Sequence, residues 1–140
     1  MTKILVVTDS QMDLMRKYII KNKPKEACGI IIGDVDATQE TYTATEIFLT
    51  ENIIKSSTEF EIDPYELYRI YLRADEIKKE IISIFHSHPS GTPPSPTDLM
   101  FMKVNPYIWL IFDMQSLEYA GYFLDTSKNQ LIKVKVVVKS

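Results

Sequence analysis

The feature that most constrains the fold is the heptapeptide ACGIIIG at residues 27–33. Its positions are apolar or small on both faces, so it predicts a buried strand. Strands and helices alternate on either side of it, which predicts an α/β (α+β) fold with a mixed, curved sheet of about seven strands and three helices against it. The expected strands cover 3–7, 27–33, 41–49, 80–88, 107–113, 118–124 and 130–138, and the expected helices cover 11–21, 64 to about 80, and 96–103.

Polar and proline residues predict where the helices begin. Asp9 or Ser10 can cap the first helix. Asp63 followed by Pro64 opens the second, with Glu66 completing a capping-box pattern and the end near Lys79 or Glu80. The expected buried stripes are Met12, Met15, Tyr18 and Ile19 in the first helix, and Leu67, Ile70, Tyr71, Ala74 and Ile77 in the second.

Length and composition limit the function classes. The 140 residues fit a single domain, 1–140. The net charge of −3 and the scattered lysines disfavour nucleic-acid binding, which needs a clustered basic face. No apolar stretch approaches the roughly 20 residues needed to span a membrane. The lone Cys28 favours a reducing compartment and a core role, so a cytoplasmic protein is expected. The oligomeric state stays open.

Both histidines of the chain lie in the segment HSHPSGTPPSPTD, at the end of the strand expected at 80–88. Residues two apart on a strand share a face, so His86 and His88 project together, about 6.6 Å apart along the strand. The same alternation assigns Ile82 and Ile84 to that face and turns Ser87 away. Two imidazoles placed in this way can reach one Zn²⁺.

Asp98 is the expected third ligand. It lies ten residues after His88, beyond a loop that Pro93, Pro94 and Pro96 stiffen and Gly91 allows to bend. Two histidines and one aspartate leave a coordination position for water, the pattern of a catalytic zinc site. Water activated by zinc needs a proton acceptor. Glu26 is one of several carboxylates available, and it stands at the mouth of the buried strand 27–33.

Each motif has a structural alternative when it is taken singly. An H-x-H pair at a strand end is often incidental. Ser95 and Asp98 also form a capping box around Pro96, which only starts a helix. An isolated Glu26 is expected to be solvated, and Trp109 is expected to belong to the core. The combination is what favours a catalytic site.

Together, Glu26 in EACGIIIG, then His86-Ser87-His88-Pro89, then Ser95-Pro96-Thr97-Asp98 resemble the JAMM (MPN+) metalloprotease motif, in its compact single-domain prokaryotic form. The resemblance extends over nearly the whole chain and implies an MPN fold. It implies one catalytic zinc held by His86, His88 and Asp98. Glu26 would be the general acid/base, and Ser95 would steady the oxyanion. The spacer from His88 to Asp98 looks one residue shorter than in many relatives.

The resemblance implies hydrolysis after the C-terminal glycines of ubiquitin or ubiquitin-like proteins, with small β-grasp modifiers and sulfur carriers as the prokaryotic partners. The leading hypothesis is a zinc-dependent isopeptidase. The alternatives are C-terminal processing of a sulfur carrier and a non-catalytic MPN scaffold. A Gly-Gly tail is expected to pair with an exposed strand edge. The proposed edge is KSSTEFEI (55–62), with Ser57 and Phe60 as substrate contacts.

Overall fold

The computed structural model describes residues 2–140 and contains seven strands and three helices in that range. The strands are β1 (Ile4–Thr8), β2 (Cys28–Asp36), β3 (Thr41–Thr50), β4 (Glu80–His88), β5 (Ile108–Asp113), β6 (Tyr119–Asp125) and β7 (Gln130–Lys139). The helices are α1 (Asp9–Asn22), α2 (Pro64–Glu76) and α3 (Pro96–Val104). The expected mixed α+β architecture is confirmed. None of the helices in residues 2–140 has the length and apolar character needed to cross a lipid bilayer.

The sheet closes into a barrel in the order β1-β3-β2-β4-β5-β6-β7, with β7 pairing back onto β1. The pairs β1–β3, β1–β7 and β4–β5 are parallel, and the other pairs are antiparallel. The central strands β2 and β4 pair with Cys28 opposite His86. Continuing this register brings Ala27 opposite Ser87 and Glu26 beside His88.

Helices cover both faces of the sheet. The core cluster on one face contains Met12, Met15 and Ile19 of α1 together with Ile31 of β2. The cluster on the other face contains Ile70 of α2 and Met102 of α3, packed with Ile30, Ile84 and Trp109. Successive isoleucines of β2 therefore enter different clusters, which confirms that this strand is buried on both faces. Trp109 is a core residue, as expected.

The first helix begins earlier than expected. Thr8, rather than Asp9 or Ser10, is the N-cap. Its hydroxyl accepts from the Gln11 N–H at 3.1 Å, and its own N–H donates to the Gln11 side chain at 2.9 Å. This reciprocal capping box satisfies two N–H groups at the helix start. β1 therefore runs directly into α1.

The second helix ends at Glu76, before the expected Lys79 or Glu80. Lys78 has φ of 58°, and the N–H groups of Lys78 and Lys79 donate to the carbonyls of Asp75 and Ala74. These two bonds close a Schellman motif that stops the helix without glycine. Asp63 is the N-cap, but its side chain accepts from the Tyr65 N–H and the box with Glu66 is not formed.

Three further expectations were wrong. A β-bulge places Ile82 between the pairs Ile31–Ser83 and Ile32–Ile81, so Ile82 turns to the α1 face while Ile84 faces α2 and α3. In α2 the expected stripe is buried only in part, because Tyr71 is 61% exposed and Leu67 is 37% exposed. β2 also continues to Asp36, beyond the expected end of this strand at residue 33.

Candidate metal and catalytic site

The site is built on the C-terminal end of β4, where the backbone pairs with β2 on one side and β5 on the other. His86 is fully buried and His88 is 8% exposed. Their Nε2 atoms lie 3.0 Å apart. The same-face geometry expected from the sequence is present. Two ring nitrogens consequently point at one small volume above the sheet.

Asp98 completes the cluster from the first turn of α3. Its Oδ2 atom lies 2.8 Å from His88 Nε2 and 3.3 Å from His86 Nε2. Ser95 fixes this carboxylate, because its N–H donates to Oδ2 at 2.9 Å while its hydroxyl accepts from the Asp98 N–H at 3.1 Å. Asp98 is therefore both a member of the capping box expected at the start of α3 and the expected third metal ligand.

The loop that connects β4 to α3 is held against the end of β5. Gly91 adopts φ of 84°, the left-handed conformation that glycine accommodates most readily, and its N–H donates to the Asp113 carboxylate at 2.8 Å. The Gln115 side chain donates to the Pro89 carbonyl at 3.3 Å. The loop thus has fixed points near its start, and its proline-rich part delivers Asp98 to the strand end.

The donor set fits a metal ion. Tetrahedral zinc with ligand bonds near 2.0–2.1 Å separates its ligand atoms by about 3.3 Å, close to the 2.8–3.3 Å triangle of Nε2, Nε2 and Oδ2. Burial lowers the pKa of His86, so its ring is neutral near pH 7. Burial alone would raise the pKa of Asp98, but hydrogen bonds with both histidines and the Ser95 N–H hold it well below its usual value. Neutral imidazoles and a carboxylate are the required ligand forms.

Aromatic rings hold the orientation of His86. Its Nδ1 atom is buried and lacks a hydrogen-bond partner among residues 2–140. Phe60 stacks on the imidazole with ring centroids 4.5 Å apart, and Trp109 meets it edge-on at 5.6 Å. Histidine ligands of metals are commonly oriented by a hydrogen bond at the second nitrogen. Here the flanking rings restrict the imidazole.

Glu26 is 2% exposed, so the alternative of a solvated side chain does not hold. Burial raises its pKa to about 8, and the carboxylates of Asp98 and Glu59 add to the shift. Extending the β2–β4 register two residues beyond the Cys28–His86 pair leads from Glu26 to His88. A carboxyl group whose pKa lies near neutrality, next to a candidate metal site, can both accept and donate a proton.

Comparison with known proteins agrees with this geometry. Residues 8–121 match the family described as prokaryotic homologs of the JAB domain. The chain belongs to this family. Its relatives include a protein named desampylase from Pyrococcus furiosus, 33% identical over 122 residues that cover 86% of this chain and 81% of the relative. A protein with the same name from Haloferax volcanii is 30% identical over 105 residues, covering 74% of this chain and 73% of the relative.

The fold is also found among solved structures. The solution structure of protein DSY2949 from Desulfitobacterium hafniense superposes with a TM-score of 0.84, covering 97% of this chain and 93% of that one, at 21% identity. That similarity concerns the fold alone. The family match and the two curated relatives identify the chain as a hydrolase of the JAMM type within the JAB/MPN family.

The segment expected to offer a strand edge is different in the structure. Residues 55–62 form an irregular loop, and only Ile62 makes a bridge, to Asn52. The expectation of a strand edge there was wrong. Side chains take the place of a partner strand, since the Ser56 hydroxyl accepts from the N–H groups of Thr58 and Glu59 at 3.0 and 3.2 Å. Ser57 is exposed in this loop, and Phe60 lies against His86.

An apolar groove of about 390 Å³ lies beside the candidate metal ligands, between the loop, α2 and α3. Phe60 and Trp109, which contact the His86 ring, line it together with Leu67, Tyr71 and Phe101. The partial exposure of Leu67 and Tyr71 on α2 is explained by this groove. Glu59 and Glu61 also line it.

Two polar residues that matter to the site were missed by sequence reasoning. Ser87 is fully buried, and its hydroxyl accepts from the Ala27 N–H at 2.9 Å while its N–H donates to the Ala27 carbonyl at 3.0 Å. It therefore fixes the backbone next to Glu26. Its position between the histidines was a signal that could have been used. Asn52 is also buried, and nothing in its local sequence marks it.

Proposed function

We propose that this JAMM-type hydrolase is a zinc-dependent isopeptidase that removes ubiquitin-like β-grasp modifiers by cleaving after their C-terminal Gly-Gly. The observation that carries the proposal is the convergence of His86, His88 and Asp98 within 3.3 Å beside the buried Glu26. The two relatives named desampylase support the same class of substrate.

Zinc held by these three side chains would act as a Lewis acid and lower the pKa of water toward neutrality. Glu26 would accept the proton of the attacking water and deliver it to the leaving amine, a double role that suits a pKa near 8. The Ser95 hydroxyl would donate to the developing oxyanion. At rest it accepts the Asp98 N–H, so its own proton is available for this bond.

The substrate tail would enter along the loop at 55–62. Glycines suit this path because Phe60 and Trp109 pack against the His86 ring, and larger side chains next to the scissile bond would collide with these walls. Ser57 would contact the tail from the exposed side of the loop. Ser57→Ala should raise KM more than it lowers kcat, and an unchanged KM would contradict this placement.

The substrate class is tested with two fusions of each β-grasp protein encoded in the same genome. One fusion carries the modifier linked through Gly-Gly to a lysine side chain, and the other carries it linked linearly to a short peptide. Faster release from the lysine-linked conjugate supports an isopeptidase. Release from the linear fusion alone supports the second proposal, processing of a sulfur-carrier C-terminus.

A non-catalytic scaffold is the competing proposal from another class. It is disfavoured because all three ligand side chains and a buried carboxyl group are present and converge. Zinc analysis of protein purified without chelator separates the two proposals. A chain that carries no zinc and cleaves no conjugate would be a scaffold.

A further inference from the structure

Asn52 has a side-chain amide whose hydrogen-bonding capacity is fully used in the protein interior. The residue is 6% exposed. Its Nδ2 donates to the carbonyls of Glu26 at 3.0 Å and Glu59 at 2.9 Å. Its Oδ1 accepts from the N–H groups of Ile54 and Glu61, both at 3.1 Å. All four bonds are made to main-chain groups, so this one amide connects three separate stretches of backbone.

One of these stretches carries Glu26. This residue precedes β2, so the strand ladder does not hold its peptide groups. Its N–H donates to the Ser56 carbonyl at 2.8 Å, and its carbonyl accepts from Asn52. Both bonds come from the segment that follows β3. The backbone position of the proposed acid/base therefore depends on this segment and on Asn52 within it.

Another of these stretches carries Phe60. Asn52 bonds Glu59 on one side of this residue and Glu61 on the other. Phe60 stacks on the His86 ring, whose Nδ1 atom has no hydrogen-bond partner among the described residues. The loop position thus determines how firmly the ring is held. The Asn52 side chain is therefore bonded to the main chain of Glu26 and to the main chain on both sides of Phe60, the ring that covers His86.

We infer that Asn52 is a positioning residue. It holds Glu26 and the loop that carries Phe60 in place relative to the candidate metal ligands. Only the kinetic consequence rests on the proposed function, since the contacts themselves are independent of the substrate. Loss of the amide should displace Glu26 without removing a ligand. Small displacements of a catalytic group reduce turnover more than they reduce binding of a remote substrate surface.

The kinetic test compares Asn52→Ala with Thr50→Val. Thr50 is also buried and also bonds the main chain, donating to the Cys28 carbonyl at 3.0 Å, but its side chain forms no hydrogen bond with Glu26 or with residues 55–62. Asn52→Ala should lower kcat roughly 30–100-fold, change KM less than threefold, and retain one zinc per chain. Thr50→Val should lower Tm with kcat within twofold of wild type. Equal losses of kcat in both variants would overturn the inference.

A second measurement needs no substrate. The chain has two histidines, so the side-chain ring signals of His86 and His88 are resolved by NMR in the zinc-loaded protein. Asn52→Ala should shift the His86 ring signals in the direction produced by Phe60→Leu, and should speed hydrogen exchange of the Glu26 N–H roughly tenfold. Thr50→Val should do neither. An unchanged His86 signal with unchanged Glu26 exchange in Asn52→Ala contradicts the coupling.

The two measurements also separate this inference from the proposed function. If the wild-type protein cleaves no Gly-Gly conjugate, the proposed function fails, while the NMR and exchange results still decide whether Asn52 positions Glu26 and Phe60. Asn52→Asp serves as a second variant if Asn52→Ala does not fold. It retains an acceptor for Ile54 and Glu61 but loses both donors, so the same changes in exchange and ring signals are expected.

Discussion

The end of β4 and the loop between β3 and α2 both reach His86, but they are held in place by different means. Residues of β4 pair with strands on both sides through a regular ladder. The loop has one isolated bridge and depends on the side chains of Asn52 and Ser56. The candidate metal ligands on β4 are therefore held by the sheet itself, whereas the backbone of Glu26 and the cover of His86 depend on the loop and on the few bonds that hold it.

This difference between the two regions has a functional consequence. Changes in the loop should alter turnover while metal binding persists, and changes on β4 should remove both together. Variants on each side test this division, and the largest effect is expected on β4.

His88→Ala breaks the β4 side. Removal of one of three ligands should reduce the zinc content from one per chain to roughly a tenth or less, because two remaining ligands bind the ion too weakly. Activity should fall on the order of 10³-fold for the same reason. Metal analysis and conjugate cleavage measure both. Thr58→Ala is the control in the loop. The Thr58 hydroxyl hydrogen-bonds the Ser56 hydroxyl on the surface, so this variant should keep one zinc per chain. Full zinc occupancy in His88→Ala would mean that this ring is not a ligand.

Ser95 joins helix capping to the proposed oxyanion contact, and two variants separate these roles. Asparagine is as good an N-cap as serine, so Ser95→Asn should keep Tm near that of wild type while kcat falls roughly 10²-fold. Ser95→Ala should lose a similar factor in kcat and, in addition, about 1 kcal/mol of stability. Wild-type turnover in Ser95→Asn would mean that the Ser95 hydroxyl serves only to cap the helix.

Glu59→Gln tests how the loop affects the protonation of Glu26. The Glu59 carboxylate contributes to the raised pKa of Glu26, so its removal should lower that pKa. If ionised Glu26 is the base, the acid limb of the kcat/KM profile should move to lower pH by roughly 0.5 unit. Glu61→Gln is the matched control, because it neutralises a neighbouring carboxylate in the same loop. A shift to higher pH, or equal shifts in both variants, would contradict the assignment.

The parts of the molecule that rest on regular periodicity could be predicted from the sequence. The bounds of β4 and the shared face of His86 and His88 follow from alternation alone. The capping box between Ser95 and Asp98 is local, so its spacing was sufficient to find it. Residue spacing alone was consequently enough to propose the ligand set.

The remaining parts depend on contacts between distant residues or on breaks in periodicity. The bulge at Ile82 reverses the alternation, and its cause lies in the pairing with β2. A Schellman motif ends α2 with Lys78 in the left-handed conformation, where the sequence offers no glycine. The role of Asn52 arises from main-chain groups 7 and 26 residues away, which no local pattern reports.

The most direct test of the proposed chemistry is Glu26→Gln, measured for zinc content and for cleavage of a lysine-linked Gly-Gly conjugate. Glutamine keeps the size of the side chain but cannot exchange the proton. We predict one zinc per chain in both proteins, cleavage by wild type, and a loss on the order of 10³-fold in the variant. Cleavage by Glu26→Gln at the wild-type rate, or wild-type protein that carries no zinc, would contradict the proposed mechanism.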